Sequence, residues 1–295
     1  MLNFRYKNLL TFSVSNNWAT NLPLLNAMKR FFYKTLLITL FMLVAAEVAT
    51  GQIIRAGFKA GPQISWVTVD DPKFNEVANV RPIPGFHAGA VIAFKVKDRY
   101  FLNTEYIYSQ KGKSVTGKID LDLNDKVIYR HIDVPILFSM HFKGQLAKTR
   151  KFKWYINAGP NTSYWLGGKG VITSGDLIEN DPPELKYKIV FGTRPDHNNP
   201  DILYIRDAKR LQFGMNIGGG MLLEPGKNQK VMIDFRYEIG HTQLGNPQSS
   251  QFLVPTDYQD NLKGRNKGIR LSLVYLFEFS SDRKELNKGK STLRE

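Results

Sequence analysis

Asp234, Arg236 and Glu238 stand at alternate positions and are the densest concentration of potential chemistry in the chain. A spacing of two places them on one face of an extended strand, opposite Val231, Ile233, Phe235, Tyr237 and Ile239. Carboxylates held beside a guanidinium suit acid–base work. They equally suit mutual neutralisation inside a closed space. A second segment, Gly268 to Phe279, repeats the pattern, with Arg270, Ser272 and Glu278 opposite Ile269, Leu271, Leu273, Tyr275, Phe277 and Phe279.

Histidines are the other candidates. His241, with Ser249, Ser250 and Asp257 downstream, supplies the residue types of a hydrolytic triad, but no spacing ties them together. His87, His131 and His141 fall on the polar faces of their segments, where hydrogen bonding to carboxylates is expected rather than metal ligation. Gly218-Gly219-Gly220 lies inside a strand-like run with no Lys-Ser or Lys-Thr after it, so it fails as a phosphate loop. Glycines there suit bending or close backbone approach. The expected reading is no catalytic residue, no cofactor and no metal.

The elements that carry these residues are strands. Eight stretches alternate apolar and polar residues: roughly Arg55 to Val67, Gly85 to Val96, Tyr100 to Gln110, Val127 to Phe142, Phe152 to Gly167, Leu211 to Leu223, Lys230 to Thr242 and Gly268 to Phe279. Most exceed the 5 to 6 residues of an ordinary strand and suit a tilted bilayer crossing of about 9 to 11 residues. Alternation leaves open whether the apolar face meets a core, as in a soluble lipocalin-like periplasmic binder, or lipid.

Other features favour lipid. Connections alternate between compact (97–99, 143–151, 224–229) and long (68–84, 111–126, 168–210, 243–267), the pattern of periplasmic turns and extracellular loops. The longest, 168–210, contains Asp181-Pro182-Pro183, Arg194-Pro195-Asp196 and Asn198-Asn199-Pro200, a turn-rich composition suited to an exposed surface. Aromatic residues collect toward strand ends: Phe58 and Trp66, Trp154 and Tyr164, and Phe277 and Phe279 read as two girdles. The opposite faces then read as a lumen carrying Lys59, Glu105, Asp133, Asp234, Arg236, Glu238, Arg270 and Glu278 as a charge network. The expected fold is an all-β, eight-stranded antiparallel up-and-down transmembrane barrel, just wide enough for such side chains to fill it.

Absence of Cys excludes disulfides and thiolate metal sites. The net charge of +15 is spread through every segment without an aromatic-interleaved stripe, so nucleic acid is not expected; anionic lipid headgroups or solubility account for the excess. Lys29, Arg30 and Lys34 precede the apolar run 35–46, and Ala49-Thr50-Gly51 supplies a small-residue cleavage site. The reading is an upstream extension 1–27, a signal peptide 28–51 starting at Met28, a barrel 52–279 and a polar periplasmic tail 280–295, with an unusually long leader as the alternative.

Several short motifs in order, Ala56-Gly57-Phe58-Lys59-Ala60-Gly61, Pro84-Gly85-Phe86-His87-Ala88-Gly89, Leu102-Asn103-Thr104-Glu105-Tyr106 with Gln110-Lys111-Gly112, His131-Ile132-Asp133-Val134-Pro135-Ile136-Leu137 and Asn157-Ala158-Gly159-Pro160, resemble the outer-membrane β-barrel family of Bacteroidetes called PorT-like. The resemblance covers roughly Gln52 to Phe279. It implies an integral outer-membrane barrel of about eight strands in the cell envelope, and its namesake serves type IX secretion and gliding. The polar tail after Phe279 departs from the usual terminal aromatic of such barrels.

The expected function is a non-enzymatic outer-membrane barrel with a filled lumen and interacting extracellular loops. Alternatives are an accessory component of type IX secretion or gliding, a lipid-modifying enzyme, or the soluble binder. Expected partners are outer-membrane lipids and envelope or secretion-machinery proteins; no oligomeric state is specified.

Overall fold

Period-two alternation over more than ten residues stabilises a strand only if both faces find suitable surroundings and neither edge stays open. The computed structural model meets both conditions by closing a ring. It describes residues 53–118, 123–146, 150–175, 184–193, 201–226, 228–246, 250–251 and 260–280. The expected extension 1–27, the expected signal peptide 28–51 and all of the expected tail beyond Ser280 lie outside the described residues.

Eight long strands form the ring: β1 (Ile53–Val69), β3 (Ile83–Lys97), β4 (Tyr100–Gly117), β5 (Asn124–Leu146), β6 (Arg150–Thr173), β9 (Leu211–Leu223), β10 (Gln229–Gln243) and β12 (Gly264–Ser280). All ring pairs are antiparallel, each strand lies beside the next in this order, and β12 closes onto β1. One row of partners shows the stagger. From Tyr164 it passes through Ile132, Tyr108, Ala88, Ala60, Leu273, Ile233 and Met221, and returns to β6 at Trp154, ten residues below its start. Eight strands with a stagger of ten tilt by about 40°. Tyr164 and Trp154 are then about 25 Å apart along the axis, the height of an apolar band.

The question of facing is settled by what lies on each side of the wall. Inside are Lys59, Glu105, Asp133, Asp234, Arg236 and Arg270, all buried. Outside, Phe58 is 70% exposed, Leu273 62% and Phe235 52%. A ring with charge inside and Phe, Leu and Ile outside is stable only where its outer surface meets hydrocarbon, so the soluble alternative is overturned. No helix among the described residues is long and apolar enough to cross a membrane; the strands do so.

The strands run further than expected at the long-loop end. Residues 111–117 and 124–126 were expected in a loop, yet they pair in β4 and β5 from Lys111↔Tyr129 to Thr116↔Asn124. Lys111 and Lys113 are buried on the lumenal face but alternate with Gly112 and Ser114 rather than with apolar residues, so no apolar face marks this end of the strand. The connection 168–210 likewise contains the end of β6, then β7 (Leu185–Phe191) and β8 (Ile202–Ile205), which pair in parallel. Farther along the edge, β11 (Ser250–Gln251) pairs with β8, and β2 (Ala78–Arg81) pairs with the top of β4. A six-residue helix, α1 (Pro72–Val77), is capped by the Asp71 carboxylate, which accepts from the backbone of Lys73 and Phe74.

Two local devices shape the wall. In β6 the partner of Arg130 is Gly167 and that of His131 is Trp165, so Leu166 is bulged out. Gly167 takes φ +141°, and beyond it the inward positions change parity to Gly170 and Ile172. Gly220 serves close approach: a Cβ there would fall 1.9 Å from the Ile233 carbonyl oxygen. Pro135 faces inward, and the ladder between β4 and β5 is interrupted between Ile136 and Asp133, as its missing N–H requires.

Phe235, in the middle of β10, tests the facing directly. Phe235→Arg is expected to destabilise the barrel by about 2 to 4 kcal/mol, read from urea titration of the protein folded into vesicles. A wild-type midpoint would contradict an outward Phe235.

Candidate functional site

The eight charges at the middle of the lumen come from inward positions of five strands, β1, β4, β5, β10 and β12. They sort into two groups of four charges. In the group nearer the compact turns, the Lys59 ammonium lies 2.5 Å from Asp234 and 3.5 Å from Glu105. Arg236 donates two hydrogen bonds to Glu105, at 2.7 and 3.0 Å, and approaches Asp234 at 2.9 Å. The Tyr155 hydroxyl donates to Asp234 at 2.8 Å. Two cations meet two anions, and the group is neutral.

The second group lies toward the long loops. Lys111 pairs with Asp133 at 2.9 Å and with Glu238, and Arg270 pairs with both of the same carboxylates. Ser109 and Ser163 donate to Asp133, and Asn161 to Glu238 at 3.3 Å. This group also sums to zero. Arg236 and Arg270 are register partners on β10 and β12, an arrangement of like charges that is unfavourable unless each turns to its own acids. Neutrality does not satisfy every group: Arg236 Nε, Arg270 Nη1 and both amide atoms of Asn216 find no hydrogen-bond partner among the described residues.

Apolar layers close the lumen above and below. Beneath the first group, Val91, Leu222, Met232, Val274 and Leu276 pack together, leaving a cavity of about 20 Å³, room for roughly one water. Above the second, Val67, Tyr129, Trp165, Tyr187, Leu203 and Leu262 belong to a larger cluster built partly from β7 and β8. Within it Lys113 is buried and pairs with Asp260, which also accepts from Tyr129 at 3.3 Å.

Of the residues expected in the network, Lys59, Glu105, Asp133, Asp234, Arg236, Glu238 and Arg270 are brought together. Glu278 is not. It sits at the compact-turn mouth, 2.7 Å from Arg55 and 3.9 Å from Lys230. Beside it, burial pushes the Glu224 carboxyl up, but hydrogen bonds and charges from Lys153 and Lys230 outweigh this and hold it below its ordinary range. Lys111 and Lys113 lie outside the expected network, because Gly112 and Ser114 beside them supply no apolar alternation.

The histidines differ from expectation. His87 Nε2 meets the Ser272 hydroxyl at 2.8 Å, His131 stacks near Trp165, and His141 lies between Phe101 and Tyr155. The lumenal carboxylates are taken by lysine and arginine, which leaves aromatic and hydroxyl neighbours. His241 is exposed; Asp257 and Ser249, and the Ser250 side chain, lie outside the described residues.

Among the expected girdle residues, Trp154 and Tyr164 mark the two ends of the apolar band. Phe277 stands near the compact-turn end with Phe279 beyond it, and Trp66 stands at the opposite end, its ring 6.3 Å from Tyr237. Phe58 departs: Ala60 is halfway along the partner row, so Phe58, two residues away, belongs to the wall near mid-height.

A closed ring with an apolar exterior and an ion-filled lumen defines an outer-membrane β-barrel protein. The family model described as outer membrane protein beta-barrel domain matches residues 49–245, and the chain belongs to that family. The match stops before β12, the strand that closes the ring. Among solved structures, the chain is similar to the outer membrane protein OprG from Pseudomonas aeruginosa (12% identity, 78% of this chain and 96% of that one, TM-score 0.44). It is also similar to the attachment invasion locus protein Ail of Yersinia pestis (10%, 76% and 98%, 0.31) and to the outer membrane protease OmpT from Escherichia coli (7%, 78% and 98%, 0.28). Identities this low carry nothing about activity. No curated protein matches.

Arg236→Met would leave Glu105 and Asp234 sharing Lys59 alone, and is expected to cost about 3 to 5 kcal/mol. Adding Glu105→Gln restores neutrality, so the double variant should lose clearly less than the sum of the singles by urea unfolding. Strict additivity would show that the four charges do not act as a unit.

Proposed function

We propose that the protein is a non-conducting, non-enzymatic outer-membrane barrel that offers an ordered interaction surface at its long-loop end, with the compact turns facing the periplasm. The supporting observation is the pair of neutral ionic groups enclosed between two apolar layers. A solute crossing the lumen would have to displace salt bridges and buried Tyr129 and Trp165 together. At the long-loop end, β2, β7, β8 and β11 extend one side of the wall, so that surface is built from paired backbone and suits contact with envelope proteins. No observation favours catalysis at His241.

Reconstitution in planar bilayers tests the first half. The wild-type protein should give no steady conductance; a reproducible open level at modest voltage would overturn a closed lumen.

The resemblance to the PorT-like group supports a narrower reading, an accessory role in type IX secretion. It predicts that a deletion strain retains cargo in the periplasm, and normal cargo secretion in that strain would remove it.

A further inference from the structure

The two ends of the barrel differ in charge. Residues 95–99, 143–153 and 224–230, the compact connections with the strand ends beside them, contain ten Lys and Arg against two Asp and Glu, whereas the long connection 168–210 contains seven of each. Of these cations, Lys95, Arg99, Lys143 and Lys153 line a vestibule of about 270 Å³ at the compact-turn mouth. Three acids line it as well: Glu224 and Glu278 are engaged with Lys153, Lys230 and Arg55, and Asp98 lies between Lys97 and Arg99 in the turn. Among the described residues no carboxylate pairs with Lys95, Arg99 or Lys143. Lys143 and Lys153 are also direct cross-strand partners; Glu224 pairs with Lys153, and Lys143 is left as the cation of the two open to an external anion.

Arg99 joins this mouth to the membrane wall. Its guanidinium lies 5.4 Å from the Tyr100 ring centre and 5.8 Å from that of Phe142. Phe142 in turn stacks on Trp154 at 4.2 Å, and Trp154 is exposed on the outer wall. A ligand recognised here needs an anionic head and an apolar body placed side by side. A free phosphate has no use for the aromatic ledge, and an acidic peptide has no use for its position inside the bilayer boundary.

We propose that this rim binds an anionic phospholipid of the leaflet at the compact-turn end, with the headgroup phosphate among Lys95, Arg99 and Lys143 and the acyl chains along Phe142 and Trp154. The site is independent of what the long-loop end contacts. Each cation near an anionic surface contributes an attraction that corresponds to about fivefold in binding.

The full chain, folded in detergent, is titrated with phosphatidylglycerol and with phosphatidylcholine, and bound lipids are counted by native mass spectrometry. Phosphatidylglycerol should bind preferentially. K95Q/R99Q/K143Q should lose that binding by more than about tenfold, while K73Q/K186Q/K188Q, which removes the same charge from the other end, stays within twofold. Heat-dependent gel mobility confirms folding of each variant; should the triple variant not fold, R99Q alone is expected to lose about fivefold. Equal binding of the two lipids, undiminished binding by the rim variant, an equal loss in the control variant, or displacement by millimolar inorganic phosphate would each overturn the assignment.

Discussion

Eight buried charges share the middle of the lumen, and the structure depends on their summing to zero locally. An isolated ion in such a space costs several kcal/mol, and a single removed partner exposes that cost in full. Two quartets, each with two cations and two carboxylates, meet the condition. They draw on β1, β4, β5, β10 and β12, so the neutral arrangement exists only when the ring is closed in one register. A slip of one residue on β10 would send Asp234, Arg236 and Glu238 into hydrocarbon and bring Phe235 and Tyr237 inside. The ionic rungs thus contribute more to specifying register than to net stability, since buried ion pairs often do no better than hydrophobic replacements.

Around that requirement the rest of the barrel is layered. Apolar side chains seal the ionic section at both ends, and small residues such as Gly220 let neighbouring strands approach where the interior is crowded. The ends then diverge. One side of the wall rises past the bilayer band and gains short strands, forming a paired surface with balanced charge. The other end finishes in compact turns, with Lys95, Arg99, Lys143 and Lys153 around a shallow mouth.

Legibility in the sequence followed the reach of each signal. The eight ring strands and the inward residues Lys59, Glu105, Asp133, Asp234, Arg236, Glu238 and Arg270 were readable because alternation is written in consecutive residues. Lys111 and Lys113 were not, because polarity without an obvious apolar counterpart reads as loop. β7 and β8 were hidden for a related reason: Leu185–Phe191 is short, and its partners, β6 and the parallel strand β8, are not announced by a hairpin turn. The change of inward parity in β6 turns on one glycine, Gly167, that looks like any other in the sequence.

By itself the sequence determined which residues share a face and that one face is ionic, since side-chain direction in a strand is a local property of the backbone. Only the tertiary structure decided that Lys59 meets Asp234, 175 positions away, that Glu278 leaves the network for Arg55, and that β12 closes on β1. Those pairings depend on the stagger and curvature of the closed ring, which bring distant strands to the same height. No stretch of neighbouring residues encodes that height.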